Sequence, residues 1–548
     1  MRVAQAVGQT LAELGVRDAF GLLGSGNLEV TNALVAGGAR FFASRHETAA
    51  VTMADAYARV TGRLGVCTTH QGPGLTNAMT GLAEAAKSRT PLLLLAADTA
   101  GAAVRSNFRI DQAGMVTAVG ALAERLHSPA SAIADTVRAV RRAEVERRPV
   151  ALMLPLDVQA GDCQPPDDLV AGPALQPVRP SPAALADLLG RLRGSRRPLI
   201  LAGRGAVLAG AREPLERLGD LTGALFATSA VANGLFAGSP WSLGISGGFA
   251  SPLAAELIAE SDLVLAFGAG LNMWTTRHGR LVGTEAVVVQ VDHEAGAIGA
   301  HHRVDLGVVG DVGETARALV GELESQPLEQ AGRRTPELAE RIRTRTWRTE
   351  PYEDASSGER LDPRTLSIEL DSLLPPERAV AIDSGHFMGY PAMYLPVPGP
   401  DAFVFTQGFQ SIGLGLAGAI GAAVARPDRL TVAALGDGGA LMALPEFETA
   451  ARLELGLLIV VYNDAAYGAE VHHFKPMGQA VELVQFPDTD FAALGRAVGM
   501  GGLTVRRRED LGPVREWALR TPRPGLVVDA KVVPTVVAEW LEEAFRGH

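Results

Sequence analysis

Residues Gly436-Asp437-Gly438-Gly439 close an apolar run, LTVAALG, and a helical pattern opens shortly after them, near Pro445. Glycines at a strand-to-helix turn let main-chain N–H groups approach phosphate oxygens closely. An aspartate in such a turn can hold a hard cation that bridges those oxygens. The next apolar run, LLIVVYN, ends in Asn463-Asp464, so a second acid stands 27 residues after Asp437. One strand–helix–strand unit returns both strand ends to the same sheet edge, where they can share one ion. A GDG triplet alone is most often a turn. On a strand end, with an Asn-Asp pair on the next, it is a far stronger sign of a metal-bridged phosphate site.

Such a site needs parallel strands that end on one edge, and three blocks of the chain read that way. From residue 1 to 160, strand-like runs at Leu64 (LGVCT), Pro91 (PLLLLAA) and Pro149 (PVALMLP) alternate with helical patterns. This alternation predicts a mostly parallel sheet covered by helices. Residues 161–182, rich in proline and aspartate, read as a linker. The second block, 183–325, has runs at Pro198 (PLILAG), Asp262 (DLVLAFG) and Ala286 (AVVVQVD). A charged stretch from Glu322 to about Arg360 precedes the third block, 361–548, with runs at Ala379, Leu430, Leu457 and Gly525. The expected fold is α/β, with three doubly wound, mainly parallel-sheet domains. The glycines after the run at Pro198 read GRGAVLAG and not G-x-G-x-x-G, so they give a dehydrogenase little support.

The bulk composition narrows the function further. A chain of 548 residues is too long for one core. With 47% hydrophobic and 20% charged residues it is a folded globular protein. A net charge of −11 leaves no broad basic footprint for nucleic acid. Two cysteines, Cys67 and Cys163, argue against a disulfide scaffold or a zinc site and suit buried free thiols in a reducing compartment. The N-terminal residues lack the apolar core of a signal peptide. The longest apolar stretch, Ser411–Ala425, falls short of the roughly 18 residues of a membrane span and reads as a buried helix. No membrane association and a cytoplasmic location are expected.

The GDG turn and the Asn-Asp pair resemble the thiamine-diphosphate motif of the acetolactate synthase, benzoylformate decarboxylase and pyruvate decarboxylase superfamily. Two further segments carry the resemblance, which covers the whole chain. Arg45-His46-Glu47-Thr48-Ala49-Ala50 is similar to the family's RHE-x-AA, and His70–Asn77 (HQGPGLTN) is similar to its S-G-P-G-x-T-N loop. The resemblance implies thiamine diphosphate and Mg2+, the ion held by Asp437, Asp464 and the carbonyl of Ala466. It implies that Glu47 hydrogen-bonds the cofactor's pyrimidine ring and drives its amino group toward the imino form that deprotonates C2. That chemistry needs a carboxyl group in a dry site, while the electron sink is the cofactor's own. Ile412, beside Gln410, matches the apolar wedge that bends the cofactor. Gly385-His386 match a diphosphate-contacting turn, and Gly436, Gly438, Gly439, Tyr467 and Gly468 complete the expected cradle. His70 and Ser25 match an acid–base histidine and a loop serine of benzoylformate decarboxylase. Glu470 falls where pyruvate decarboxylase has a glutamate able to protonate the carbanion-enamine, and His472 and His473 are the next candidates. The domains would be pyrimidine-binding, central and diphosphate-binding. The family builds each site from two subunits, implying a homodimer or homotetramer that acts on small 2-oxo acids and possibly aldehydes.

The chain departs from the pattern at several points. Asp464 replaces the second asparagine, which keeps a hard oxygen and adds a negative charge. Gly268–Trp274 (GAGLNMW) lacks both arginines of the G-x-R-F-D-D-R segment by which acetolactate synthases bind flavin and select the second 2-oxo acid. Phe108, followed by Arg109, stands in place of their glutamine, and His473 in place of their tryptophan. These differences favour a flavin-free, non-oxidative 2-oxo acid decarboxylase or carboligase over acetolactate synthase proper. A catalytically silent cofactor-binding homologue is the third reading, and the presence of Glu47 speaks against it.

Overall fold

A computed structural model describes residues 1–164, 172–329 and 332–544. Part of the expected linker, residues 165–171, lies outside the described residues.

Three six-stranded sheets account for the strands of the described residues, and their strand pairs are parallel. The N-terminal sheet contains β1 (Asp18–Gly21), β2 (Arg40–Ala43), β3 (Gly65–Thr69), β4 (Leu92–Asp98), β5 (Leu122–Arg125) and β6 (Pro149–Pro155). Its strands lie in the order 2-1-3-4-6-5. The central sheet contains β7 (Pro198–Ala202), β8 (Leu225–Thr228), β9 (Ser242–Ile245), β10 (Leu263–Phe267), β11 (Val287–Asp292) and β12 (Leu306–Val309), in the order 12-11-10-7-8-9. The C-terminal sheet contains β13 (Arg378–Ile382), β14 (Phe403–Phe405), β15 (Leu430–Gly436), β16 (Leu458–Asn463), β17 (Gly501–Val505) and β18 (Leu526–Lys531), in the order 14-13-15-16-18-17.

The first and third sheets thus share one topology, strand for strand. The central sheet has the order typical of dinucleotide-binding folds, although it lacks their glycine fingerprint. The expected three-domain α/β architecture, with a doubly wound sheet in each domain, is what the structure has.

The inner strands β3, β4, β6, β10, β13 and β16 are buried along their whole length. Coverage by helices on both faces explains why they read as unbroken apolar runs. The apolar stretch at Ser411 forms the buried helix Gly415–Ala425. It packs on the helix Glu47–Thr61 of the N-terminal domain, and one apolar core joins the two domains. Gly421 makes the close approach possible, since a Cβ there would lie 2.2 Å from the Met53 carbonyl oxygen. Cys67 and Cys163 are both free and buried. Among the described residues no helix is long and apolar enough to cross a membrane.

Candidate active site

Ligands of doubly wound sheets bind beyond the carboxyl ends of the strands, where the strand order reverses. In the C-terminal sheet that point lies between β13 and β15. From β13 the chain runs into Asp383, Ser384, Gly385 and His386, and from β15 into the glycine turn. Asp437 becomes the first residue of the helix Asp437–Met442. On the other side of β15, β16 delivers Asp464, with Gly436 in register with Tyr462. A cavity of about 530 Å3 opens here. Gly385, His386, Gln410, Ile412, Gly436, Asp437, Gly438, Gly439, Asp464, Ala466, Tyr467, Gly468 and Glu470 all line it.

Two glycines keep this cradle open. A Cβ on Gly438 would lie 2.4 Å from the Tyr467 ring, and one on Gly468 would lie 2.6 Å from the Asp464 carboxylate. Burial pushes the Asp437 carboxyl up to about 6, against the pull of main-chain N–H groups. Burial and the neighbouring Asp437 push Asp464 up to about 7. Two carboxylates held together without a cation are electrostatically frustrated, and a divalent ion relieves that directly. Among the described residues no cluster of three or more acidic, histidine or cysteine side chains could hold a metal. The pair would therefore need a carbonyl and ligand oxygens to complete the shell, as a phosphate-bridging ion does.

His386 is buried, and burial together with nearby His472 pushes its ring down to about 3. The Ala538 N–H donates to its Nε2 at 3.0 Å. The neutral ring therefore carries its proton on Nδ1, the nitrogen beside Gly468. A neutral donor thus faces the cradle. Val532, Val533, Trp540 and Leu541 of the C-terminal segment form another wall of the cavity. Glu470 is exposed at its rim. His472 lies against His386 with the rings tilted and their centroids 4.4 Å apart. His473 packs on Phe474 and is not among the lining residues.

The loop that bears Gln410 and Ile412 is clamped by buried acids that sequence reasoning missed. Asp383 accepts from Ser384 N and Gly413 N, each at 2.9 Å, and from Leu414 N at 3.2 Å. Glu84, from the N-terminal domain, accepts from Phe409 N at 2.7 Å and from Arg59 at 2.9 Å. Arg59 in turn donates to the Phe405 carbonyl. Held between these anchors, Gln410 adopts a left-handed backbone, φ 62°.

The N-terminal sheet reverses its order between β1 and β3, and the remaining candidates gather there. Glu47 is buried and opens the helix Glu47–Thr61, with His46 as its N-cap accepting from Thr48 N. Asn77 Nδ2 donates to Glu47 Oε2 at 3.1 Å, and Thr48 Oγ1 donates to the Asn77 carbonyl. His70 follows β3, and its Nδ1 accepts from Gly26 N at 3.2 Å. Burial lowers the His70 ring below its ordinary value, and the Glu47 charge partly offsets this. Ser25 is exposed on the adjoining loop. None of Glu47, His70 and Ser25 lines the cavity at Asp437.

A second cavity, of about 760 Å3, adjoins the first and shares Trp274, Met388, Gln407, Gln410 and Trp540 with it. It opens at the central switch point, beside Gly205 and Gly268. Lys87, Arg89, Arg147, Arg148 and Arg204 stand on its wall, with Asp292 and Glu294 among them. The Gly268–Trp274 segment contributes to the same wall.

Two sheets of matching topology, each with candidate site residues at its switch point, and a third between them in the chain define a three-domain α/β protein with a cavity at its C-terminal strand ends. Family models describe the three regions as the N-terminal TPP binding domain (residues 1–119), the central domain (185–319) and the C-terminal TPP binding domain (383–528) of thiamine pyrophosphate enzymes. The chain belongs to the thiamine pyrophosphate enzyme family. A sulfoacetaldehyde acetyltransferase of Castellaniella defragrans is 28% identical, over 95% of this chain and 90% of that protein. An acetolactate synthase large subunit of Parasynechococcus marenigrum is 29% identical, over 96% and 86%. A protein of Pseudomonas aeruginosa described as a probable 2-ketoarginine decarboxylase is 30% identical, over 93% and 90%. The chain is accordingly a thiamine-diphosphate-dependent enzyme.

Proposed function

We propose that the chain is a non-oxidative 2-oxo acid decarboxylase or carboligase that works with thiamine diphosphate and Mg2+. The observation that carries this reading is the convergence of Asp437, Asp464 and the glycine turn on one cavity. Asp437, Asp464 and the carbonyl of Ala466 would hold the ion, and the main-chain N–H groups after Gly436 with His386 Nδ1–H would hold the diphosphate. The cofactor, when bound, supplies the electron sink for cleavage of the bond next to the carbonyl. Ile412, on its clamped loop, presents a fixed apolar side chain to the cavity. Glu470, at the rim, can deliver or receive a proton in the second half of the reaction.

Glu47 is proposed as the carboxylate that bonds the pyrimidine ring, with His70 as an acid–base group nearby and Ser25 on the adjoining loop. Since these groups lie outside the cavity at Asp437, a second copy of the chain is proposed to bring them there. The minimal active unit is then a two-fold dimer. Flavin has no part in this reading, on the strength of Gly270 and Trp274 at the two positions where arginines would stand. The test is to supply the protein with thiamine diphosphate and Mg2+ and measure carbon dioxide release from a panel of 2-oxo acids, with and without aldehyde acceptors. Release from at least one acid supports the reading, and no release from any contradicts it.

A further inference from the structure

Glu446 lies in the helix Pro445–Arg452, nine residues after Asp437, and is only 2% exposed. Its Oε1 accepts from Arg45 N at 3.1 Å and from His46 N at 3.0 Å. These are the two main-chain N–H groups that immediately precede Glu47. The first N–H groups of a helix lack partners within the helix, and its N-terminus carries partial positive charge. A carboxylate at this point therefore both satisfies donors and complements the helix end. The neighbouring Glu448 takes the Arg45 side chain at 2.6 Å, so the same helix holds Arg45 by main chain and side chain.

Burial raises the Glu446 carboxyl above its ordinary value, which makes this an expensive way to fill a core position. A buried acid held against two specific N–H groups is the kind of local departure that marks a functional constraint. The connection to the other half of the site is short. Glu446 N bonds the Ala443 carbonyl at 2.9 Å, directly after the helix Asp437–Met442. A short hydrogen-bonded connection thus links the end of the helix that begins at Asp437 to the start of the Glu47 helix.

We propose that Glu446 is a positioning residue for Glu47, fixing the N-terminus of its helix to the helix pair that follows Asp437 in the same chain. The proposal rests on the reading of Glu47 as the pyrimidine-bonding carboxylate. On that reading Glu47 serves the cofactor bound by another copy, so each Glu446 ties the placement of one half-site to the other half-site of its own chain.

Three variants of the full chain test this: Glu446→Ala, Glu446→Gln, and Glu47→Gln as control. Amide hydrogen exchange over residues 45–50 is read without cofactor. Affinity for thiamine diphosphate with Mg2+ and the exchange rate of its C2 proton are read with it. Glu446→Ala should lose protection at 45–50 and slow C2 exchange by about 10²-fold, the effect of misplacing a catalytic group by roughly 1 Å, with cofactor affinity retained. Glu446→Gln keeps an acceptor oxygen and should retain both protection and rate. Should Glu446→Ala not fold, Glu446→Asp, whose reach is one methylene shorter, takes its place with the same expectation. Wild-type protection and C2 exchange in the shortened variants would overturn the proposal, provided that Glu47→Gln stops exchange. If Glu47→Gln also exchanges at the wild-type rate, the reading of Glu47 itself fails.

Discussion

Glu47 and Asp437 do not share a cavity within one chain. Asp437 lines the C-terminal cavity with Asp464, while Glu47 lies at the switch point of the N-terminal sheet, bonded to Asn77. Yet the two residues are firmly related. The Glu47 helix packs on the helix Gly415–Ala425, and Glu446 grips its N-terminus. The chain therefore holds these two proposed half-sites in a fixed mutual arrangement, and Glu47 does not line the cavity at Asp437. The predictions below follow from that arrangement.

Glu47→Gln should abolish turnover while leaving cofactor affinity within a few fold of wild type. The groups proposed to hold the diphosphate and the ion are untouched, so the loss should appear in the chemical step. Titration calorimetry with thiamine diphosphate and Mg2+, beside steady-state rates, separates the two effects. A variant that turns over normally would remove Glu47 from the mechanism.

The two carboxylates of the proposed ion site should respond in opposite ways. Asp437→Ala removes the acid at the glycine turn and should lose the metal and the cofactor together. Asp464→Asn keeps an oxygen and removes one of two adjacent negative charges, so cofactor affinity should be equal to wild type or better. Equal loss in both variants would show that the second charge is needed.

His70 should set the acid limb of the pH profile. Burial lowers its ring from the ordinary value of 6.5, against the opposing charge of Glu47, so its protonation is displaced to the acid side of an ordinary imidazole. If the neutral ring is the working form, kcat/KM falls as the pH drops through that region, and His70→Ala flattens this limb while lowering the rate by about 10²–10⁴-fold. An unchanged limb in His70→Ala would assign it to another group.

Asp383→Ala should destabilise the fold by about 1–3 kcal/mol, because it strips buried N–H groups of their acceptor. The N–H groups concerned are those of Ser384, Gly413 and Leu414. The same change frees the loop of Gln410 and Ile412, so cofactor affinity should fall as well. Chemical denaturation and calorimetry report the two effects independently.

The purified protein should show no stoichiometric flavin absorbance. The basic cavity has the volume for a large ligand, but acids share its wall and Arg89 is already paired with Glu294. A yellow protein with one flavin per chain would contradict this reading.

Legibility in the sequence followed burial and range. The strands read directly were β3, β4, β6, β7, β10, β11, β13, β15, β16 and β18, most of them buried apolar runs. The six strands missed at the sheet edges, β2, β5, β9, β12, β14 and β17, have only three to five residues, and β1 and β8 beside them have four. Too few turns of alternation remain in such segments to distinguish them from loop. The C-terminal cradle was legible because its glycines and acids lie at strand ends and recur at local spacing. Glu446, Glu84 and Asp383 were not. Each acts through main-chain or side-chain partners brought close only by tertiary packing; about 400 residues separate Glu446 from Arg45.

The central claim, that one working site combines Glu47 of one copy with Asp437 of another, has a direct test in mixed chains. Glu47→Gln and Asp437→Ala should each be inactive alone. After unfolding and refolding together, half of the dimers should be mixed, and one of the two sites in each would pair an intact Glu47 with an intact Asp437. The predicted recovery is about a quarter of wild-type activity for random pairing of two copies. No recovery, in a mixture where exchange of chains is shown by mass spectrometry, would contradict the account.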